Sequence, residues 1–236
     1  MTAQYVFAAP ARPSLPVVDT NLSFPINRVW CAAKNYPAHA REMGSDPTRE
    51  PPRFFAKPPD AATFTTEVPY PPATEDLQHE VELVLALCKG GRNIAASDAL
   101  GHIFGCAVGV DLTRRDLQRQ AKSKGQPWDL AKGFDKAAPC SIVVLGPPPN
   151  NAELWLKVNG EERQRGNVGD MTWSPAELIA KLSSLITLQP GDLIFTGTPA
   201  GVSTIGIGDQ IEAAVDGLAT VRFTITAQVD TSPSAA

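Results

Sequence analysis

Gln78-His79-Glu80-Val81-Glu82-Leu83-Val84-Leu85-Ala86-Leu87 decides how this chain is read. An apolar, β-prone run begins with two carboxylates two residues apart. Alternation along a strand puts Glu80 and Glu82 on one face and Val81, Leu83 and Leu85 on the other, which is expected to be core. Like charges at that spacing repel, and are held by a shared proton, a basic partner or a divalent cation. We read a divalent cation, although a bare Glu-x-Glu taken alone better suits a solvated edge strand, and the later segments must supply the reason to prefer the cation. His79 alternates to the opposite face and is expected to pack or to support rather than to ligate.

Working outward, short strands are expected at 28–33, 53–57, 104–112, 141–145 and 192–196. Two hairpins are expected, one at 154–165 around Asn159-Gly160 and one at 210–225 around Asp216-Gly217. Helices are expected at 37–44, opened by Pro37 and closed by Gly44, after Ser97 as a cap, at 116–124, and at 175–186 behind Ser174-Pro175-Ala176-Glu177. Prolines cluster at 10–16, 47–59, 69–72 and 147–149, marking irregular connections. Strands outnumber helices, and no internal repeat, GxGxxG after a strand, P-loop or GxSxG is present. The expected fold class is α+β and strand-rich. Residues 1–27 are expected to form an extended arm, 28–229 a single catalytic domain with a lid at 37–52, and 230–236 a disordered tail.

Composition narrows the function. The 236 residues are 43% hydrophobic and 19% charged, enough to bury a core, and the net charge of -4 argues against a nucleic-acid partner. Any cations gathered in a site would therefore act locally, on a small anion. The four cysteines are widely spaced, with no CxxC or Cys/His pair, which argues against zinc. No leader pattern and no run of 18 apolar residues occurs, so a cytoplasmic protein with no membrane partner is expected.

Asp111, at the end of the 104–112 strand, is the candidate third oxygen ligand, although an Asp in that position also suits a helix cap. Three carboxylates with waters completing an octahedron suit Mg²⁺ or Mn²⁺ and leave positions for a bidentate oxygen ligand. His39 and Glu42, at i and i+3, share a helix face. By spacing alone they also fit an exposed pair, just as Lys132 and Arg115 fit surface charges.

Five motifs in order carry a resemblance: HEVEL (79–83), GVDLTRRDLQ (109–118), WDLAKGFD (128–135), LKVNGE (156–161) and PGDLIFTGTPAGV (190–202). The chain resembles the fumarylacetoacetate hydrolase family over residues 28–225. Within it, 70–87 and 111–135 are most similar to the acylpyruvate hydrolases of the bacterial fumarylpyruvate-cleaving kind, which serve gentisate breakdown. The resemblance implies the family's mixed β-sandwich or β-roll with short flanking helices, and a homodimer. It implies that Glu80, Glu82 and Asp111 bind Mg²⁺ or Mn²⁺, that Arg115 and Gln118 hold the pyruvoyl end of a small anionic diketo acid, and that Lys132 faces the reacting oxygens. Thr198 would bind a substrate oxygen, and the His39–Glu42 pair would activate water, with Glu42 taking the proton. Lys34 stands where relatives often carry Arg before Asn-Tyr. It is kept as a substrate-binding residue, with a point charge in place of a planar fork.

The implied activity is hydrolysis of a C–C bond in a ketonic substrate, with 3-fumarylpyruvate giving fumarate and pyruvate. Oxaloacetate decarboxylation, cleavage of another acylpyruvate, and isomerisation or decarboxylation of a 2-hydroxydienedioate use the same chelation. The His39–Glu42 pair favours hydrolysis over simple isomerisation. A non-catalytic binding protein is the reading from another class, and the joint presence of the triad, Lys132 and the pair argues against it.

Overall fold

The computed structural model describes residues 5–42, 44 and 50–228. The fold is a strand-rich α+β arrangement, as expected, built on two sheets. The first has six strands in the order Val144–Leu145, Ile103–Val110, Val81–Leu87, Asp192–Phe195, Arg28–Ala33 and Arg53–Lys57. The second has five, in the order Glu161–Asn167, Glu153–Val158, Gln210–Val215, Val221–Thr226 and Glu67–Pro69. Both expected hairpins lie in this second sheet.

Val81–Leu87 sits in the middle of the six-stranded sheet, antiparallel to both neighbours. Every residue in it is buried. Val81, Leu83, Leu85 and Leu87 face the second sheet and pack with Leu154, Leu156, Ile211 and Val215 in one core. Val84 and Ala86 face a second core, closed by Leu15, Val17, Phe24 and Ile26. These four come from the N-terminal segment, where Ser14–Pro16 pairs with Ser23–Pro25. The sequence reading named one core face; the strand is covered on both, and beyond Glu82 the carboxylate-bearing face is itself core.

The Pro175–Leu185 helix carries the full capping box read from the sequence, Ser174 Oγ accepting from the Glu177 N–H and the Glu177 carboxylate accepting from the Ser174 N–H. Ser97 differs from its expected role: Ala95 is the cap residue, no side chain bonds the helix start, and the Ser97 hydroxyl lies 3.1 Å from Asp98 Oδ1. The expected tail at 230–236, and positions 43 and 45–49 of the expected lid, lie outside the described residues. No helix among the described residues is long and apolar enough to cross a membrane.

Candidate active site

The register of the central pair of strands builds the site. Val81 stands opposite Val110, and one step further the Asp111 N–H donates to the Glu80 carbonyl at 2.7 Å. Glu80 and Asp111, 31 positions apart in sequence, are thereby neighbours at the end of one ladder. Glu82 shares the face of Glu80 through the two-residue strand period. All three carboxylates are buried, and a ligand oxygen from each lies within 4.8 Å of the others.

Cations close this end of the sheet. Lys132 Nζ donates to Glu80 Oε2 at 2.8 Å and to Asp111 Oδ2 at 2.7 Å. Arg115, the first residue of the Arg115–Ser123 helix, bonds Glu80 Oε1 through Nη2, Gln78 Oε1 through Nε at 2.7 Å and Gln118 Oε1 through Nη1 at 2.7 Å. Burial works against the Glu80 charge, but Lys132 and Arg115 outweigh it and hold this carboxyl well below its usual range. Glu82 has the opposite fate. Burial, then the charges of Asp111 and Glu80, push its carboxyl well up, against the Gly197 N–H that donates to Oε2 at 2.6 Å.

Nine of the ten predicted site residues line one cavity of about 60 Å³, and Glu42 is the one that does not. His39 is buried on the cavity wall with Nδ1 3.0 Å from Glu42 Oε2. Glu42 stands behind it, about one-third exposed, and its Oε1 accepts from the Gly201 N–H at 3.1 Å. Thr198 lies between Gly197 and Gly201 in the same turn. Lys34 adopts a left-handed backbone (φ 57°) at the bend out of Arg28–Ala33 and reaches the cavity rim.

Two buried polar side chains escaped sequence reasoning. Lys57 Nζ lies 2.8 Å from Asp111 Oδ1 and donates to the carbonyl of Leu112 at 3.1 Å and to that of Lys132. It ties the edge strand to both segments that carry the acid–base cluster. Gln164 donates through Nε2 to Thr198 Oγ1 at 2.8 Å and to the Pro199 carbonyl at 3.0 Å, and accepts at Oε1 from the Val81 N–H at 3.1 Å. These backbone partners fix the orientation of the amide. His79 Nδ1, 2.8 Å from Gln164 Oε1, must therefore carry the proton, and Nε2 accepts from Ser203 Oγ at 2.9 Å. With its oxygen accepting from Gln164, the Thr198 O–H is left to donate. Gln164 is the one fully buried residue in the charged strand Glu161–Asn167, and no local sequence signal marks it.

The donor set fits a hard divalent cation. It is all oxygen and buried, and among the described residues Asp111 Oδ1 makes no aligned hydrogen bond and Glu82 has no cationic side-chain bond. The triad can therefore hold a metal ion.

Comparisons with known proteins agree with this geometry. Residues 28–226 match the fumarylacetoacetate (FAA) hydrolase C-terminal family. The crystal structure of fumarylpyruvate hydrolase from Pseudomonas aeruginosa in complex with Mn²⁺ and pyruvate is 42% identical, with a TM-score of 0.93 over 95% of this chain and 100% of that one. The mitochondrial oxaloacetate tautomerase of Mus musculus is 42% identical over 85% of this chain and 96% of its own. The 5-carboxymethyl-2-hydroxymuconate delta-isomerase structure from Mycobacterium smegmatis is 31% identical, with a TM-score of 0.76 over 93% of this chain and 83% of that one. The ladder that joins Glu80 to Asp111, the buried triad and the match across both sheets place this chain in the fumarylacetoacetate hydrolase family.

Proposed function

We propose that the protein hydrolyses a C–C bond in an acylpyruvate, with 3-fumarylpyruvate as substrate and fumarate and pyruvate as products. The observation that carries this reading is the buried triad Glu80, Glu82 and Asp111 sharing one cavity with His39, which Glu42 backs from behind. Glu80, Glu82 and Asp111 would hold Mg²⁺ or Mn²⁺. When bound, such an ion supplies Lewis-acid charge that draws electron density from the oxygens of a 1,3-diketo acid.

The chain's own residues do the rest. Arg115 and Gln118 orient the pyruvoyl carboxylate, and the Thr198 O–H donates to a substrate oxygen. His39, which lines the cavity, takes the proton of the attacking water, and Glu42 behind it holds the imidazole and stabilises its charged form. This reverses the order of the pair expected from sequence, because Glu42 is not on the cavity wall. Lys132 would face the negative charge that develops as the C–C bond breaks and the pyruvate enolate leaves. The enolate carbon takes up the proton that His39 drew from water, giving pyruvate. Lys57 holds Lys132 and Asp111 in place.

A second reading, keto–enol interconversion of oxaloacetate, is favoured by the likeness to the Mus musculus tautomerase. It would use the same triad and employ the pair as a proton shuttle. The test is loss of enol absorbance with fumarylpyruvate and acetylpyruvate, against oxaloacetate tautomerisation, with and without EDTA. Chelator-sensitive cleavage of the acylpyruvates, faster than turnover of oxaloacetate, is expected. Faster turnover of oxaloacetate, or activity indifferent to EDTA in a protein shown to be metal-free, overturns the proposal.

A further inference from the structure

The cavity at the triad holds about 60 Å³, too little for a whole diketo diacid. It shares a wall with a second cavity of about 570 Å³, within the range that small-molecule sites occupy. The shared wall consists of Ala33, Lys34, Phe55, Lys122 and Trp128: two cations, two aromatic rings and no acid. The one acid described on the outer cavity, Glu50, is paired with Arg53 at 2.8 Å.

Lys122 lies on the Arg115–Ser123 helix at i+7 from Arg115 and i+4 from Gln118, so the three share a helix face. Seven residues of helix place it about 10 Å along the axis from Arg115. Its Nζ stands 5.4 Å from the Trp128 ring centroid, and Trp128 packs edge-on against Phe55 at 5.1 Å. Lys122 makes no ion pair among the described residues. Lys122 is exposed at the rim; partial withdrawal from water, then the charges of Arg115, Lys34 and Lys132, pull its ammonium down to about 8, with Glu80 pulling the other way. It is a cation in a locally positive setting.

We propose that Lys122, with the Phe55 and Trp128 rings, seats the far carboxylate of an unsaturated dicarboxylic acylpyruvate, an inference that rests on the acylpyruvate reading above. The helix then holds both ends of one substrate: Arg115 and Gln118 grip the pyruvoyl end, and Lys122 receives the acyl end two turns away. A planar conjugated chain lies against the rings between them. A monocarboxylic acylpyruvate has nothing to offer Lys122.

The test compares wild type, Lys122→Met, Lys122→Arg and Lys124→Met, a second exposed lysine that lines neither cavity. Two readouts are taken: kcat/KM for fumarylpyruvate relative to acetylpyruvate, and binding of fumarate against crotonate by calorimetry. Lys122→Met is expected to lower the fumarylpyruvate preference tenfold or more and to abolish the preference for fumarate. Lys122→Arg retains both, and Lys124→Met changes neither. If acylpyruvates are cleaved but Lys122→Met keeps the wild-type preference in both readouts, the seat is overturned and the acylpyruvate reading stands. If neither acylpyruvate is cleaved while fumarate binding still depends on Lys122, the reading fails and a dicarboxylate seat stands.

Discussion

The carboxylate cluster and His39, backed by Glu42, line one cavity, yet they are held in opposite ways. The cluster hangs on the central ladder and is braced by Lys57, Arg115 and Lys132, every one of them buried. The pair sits on the six-residue helix Pro37–Glu42, and Glu42 has one further backbone contact, to Gly201. In the proposed reading, binding is built into the sheet and proton transfer is carried by a short helix outside it. Removing a member of the cluster should therefore disturb charge, metal retention and packing together, whereas removing a member of the pair should disturb the chemical step alone.

The largest effect is expected from Asp111→Asn. Losing a ligand charge at the ladder end should cost activity about 10³-fold, several kcal/mol of charge stabilisation, together with most Mn²⁺ binding measured by calorimetry. An active variant that retains Mn²⁺ would remove Asp111 from the cluster's function. His39→Asn should lower kcat by about 10²-fold while Mn²⁺ affinity and melting temperature stay near wild type. Equal losses of metal binding in His39→Asn and Asp111→Asn would erase the contrast between the two regions.

Lys57→Met sharpens it from the other side. Lys57 touches neither cavity wall in the triad pocket but holds Asp111 and the Lys132 backbone, so a loss of about 10–100-fold in Mn²⁺ affinity is expected. Unchanged affinity would reduce Lys57 to a packing role.

The smallest effect is one of pH. The Lys122 ammonium, lowered to about 8, is charged at neutral pH and loses its proton as pH rises through that value. Its attraction for a carboxylate is thus present below pH 8 and lost above it. KM for fumarylpyruvate should climb a few-fold between pH 7 and 9 beyond any climb for acetylpyruvate, and Lys122→Met should abolish the difference. A pH-independent KM ratio would contradict it.

Much of the sheet was legible because its strands announce themselves locally. The Val81–Leu87 run, the Asn159-Gly160 turn and the Ser174–Glu177 box are short-range signals, and they appear in place. The triad was legible through the family resemblance carried by the motifs at 79–83 and 109–118; the antiparallel pairing that brings Glu80 beside Asp111 came only with the structure. Lys57 and Gln164 were not. Their partners lie 54 and 83 positions away, at Asp111 and Val81, and nothing in Arg53–Lys57 or Glu161–Asn167 marks a polar side chain as buried. The rim was illegible for a similar reason. Lys122 reads as an ordinary charged residue on a polar helix until Trp128 folds against it and Phe55 against Trp128.

The turn from Gly197 to Gly201 offers one backbone N–H to each half of the site, the first to Glu82 and the last to Glu42. Both glycines have positive φ, 98° and 99°. A Cβ on Gly197 would come 2.7 Å from Asn35 Cβ, and one on Gly201 would come 2.1 Å from the Arg163 carbonyl oxygen. These five residues work as a gauge: the two ends, where no side chain fits, set the distance between the Glu82 and Glu42 contacts, and Thr198 is carried between them.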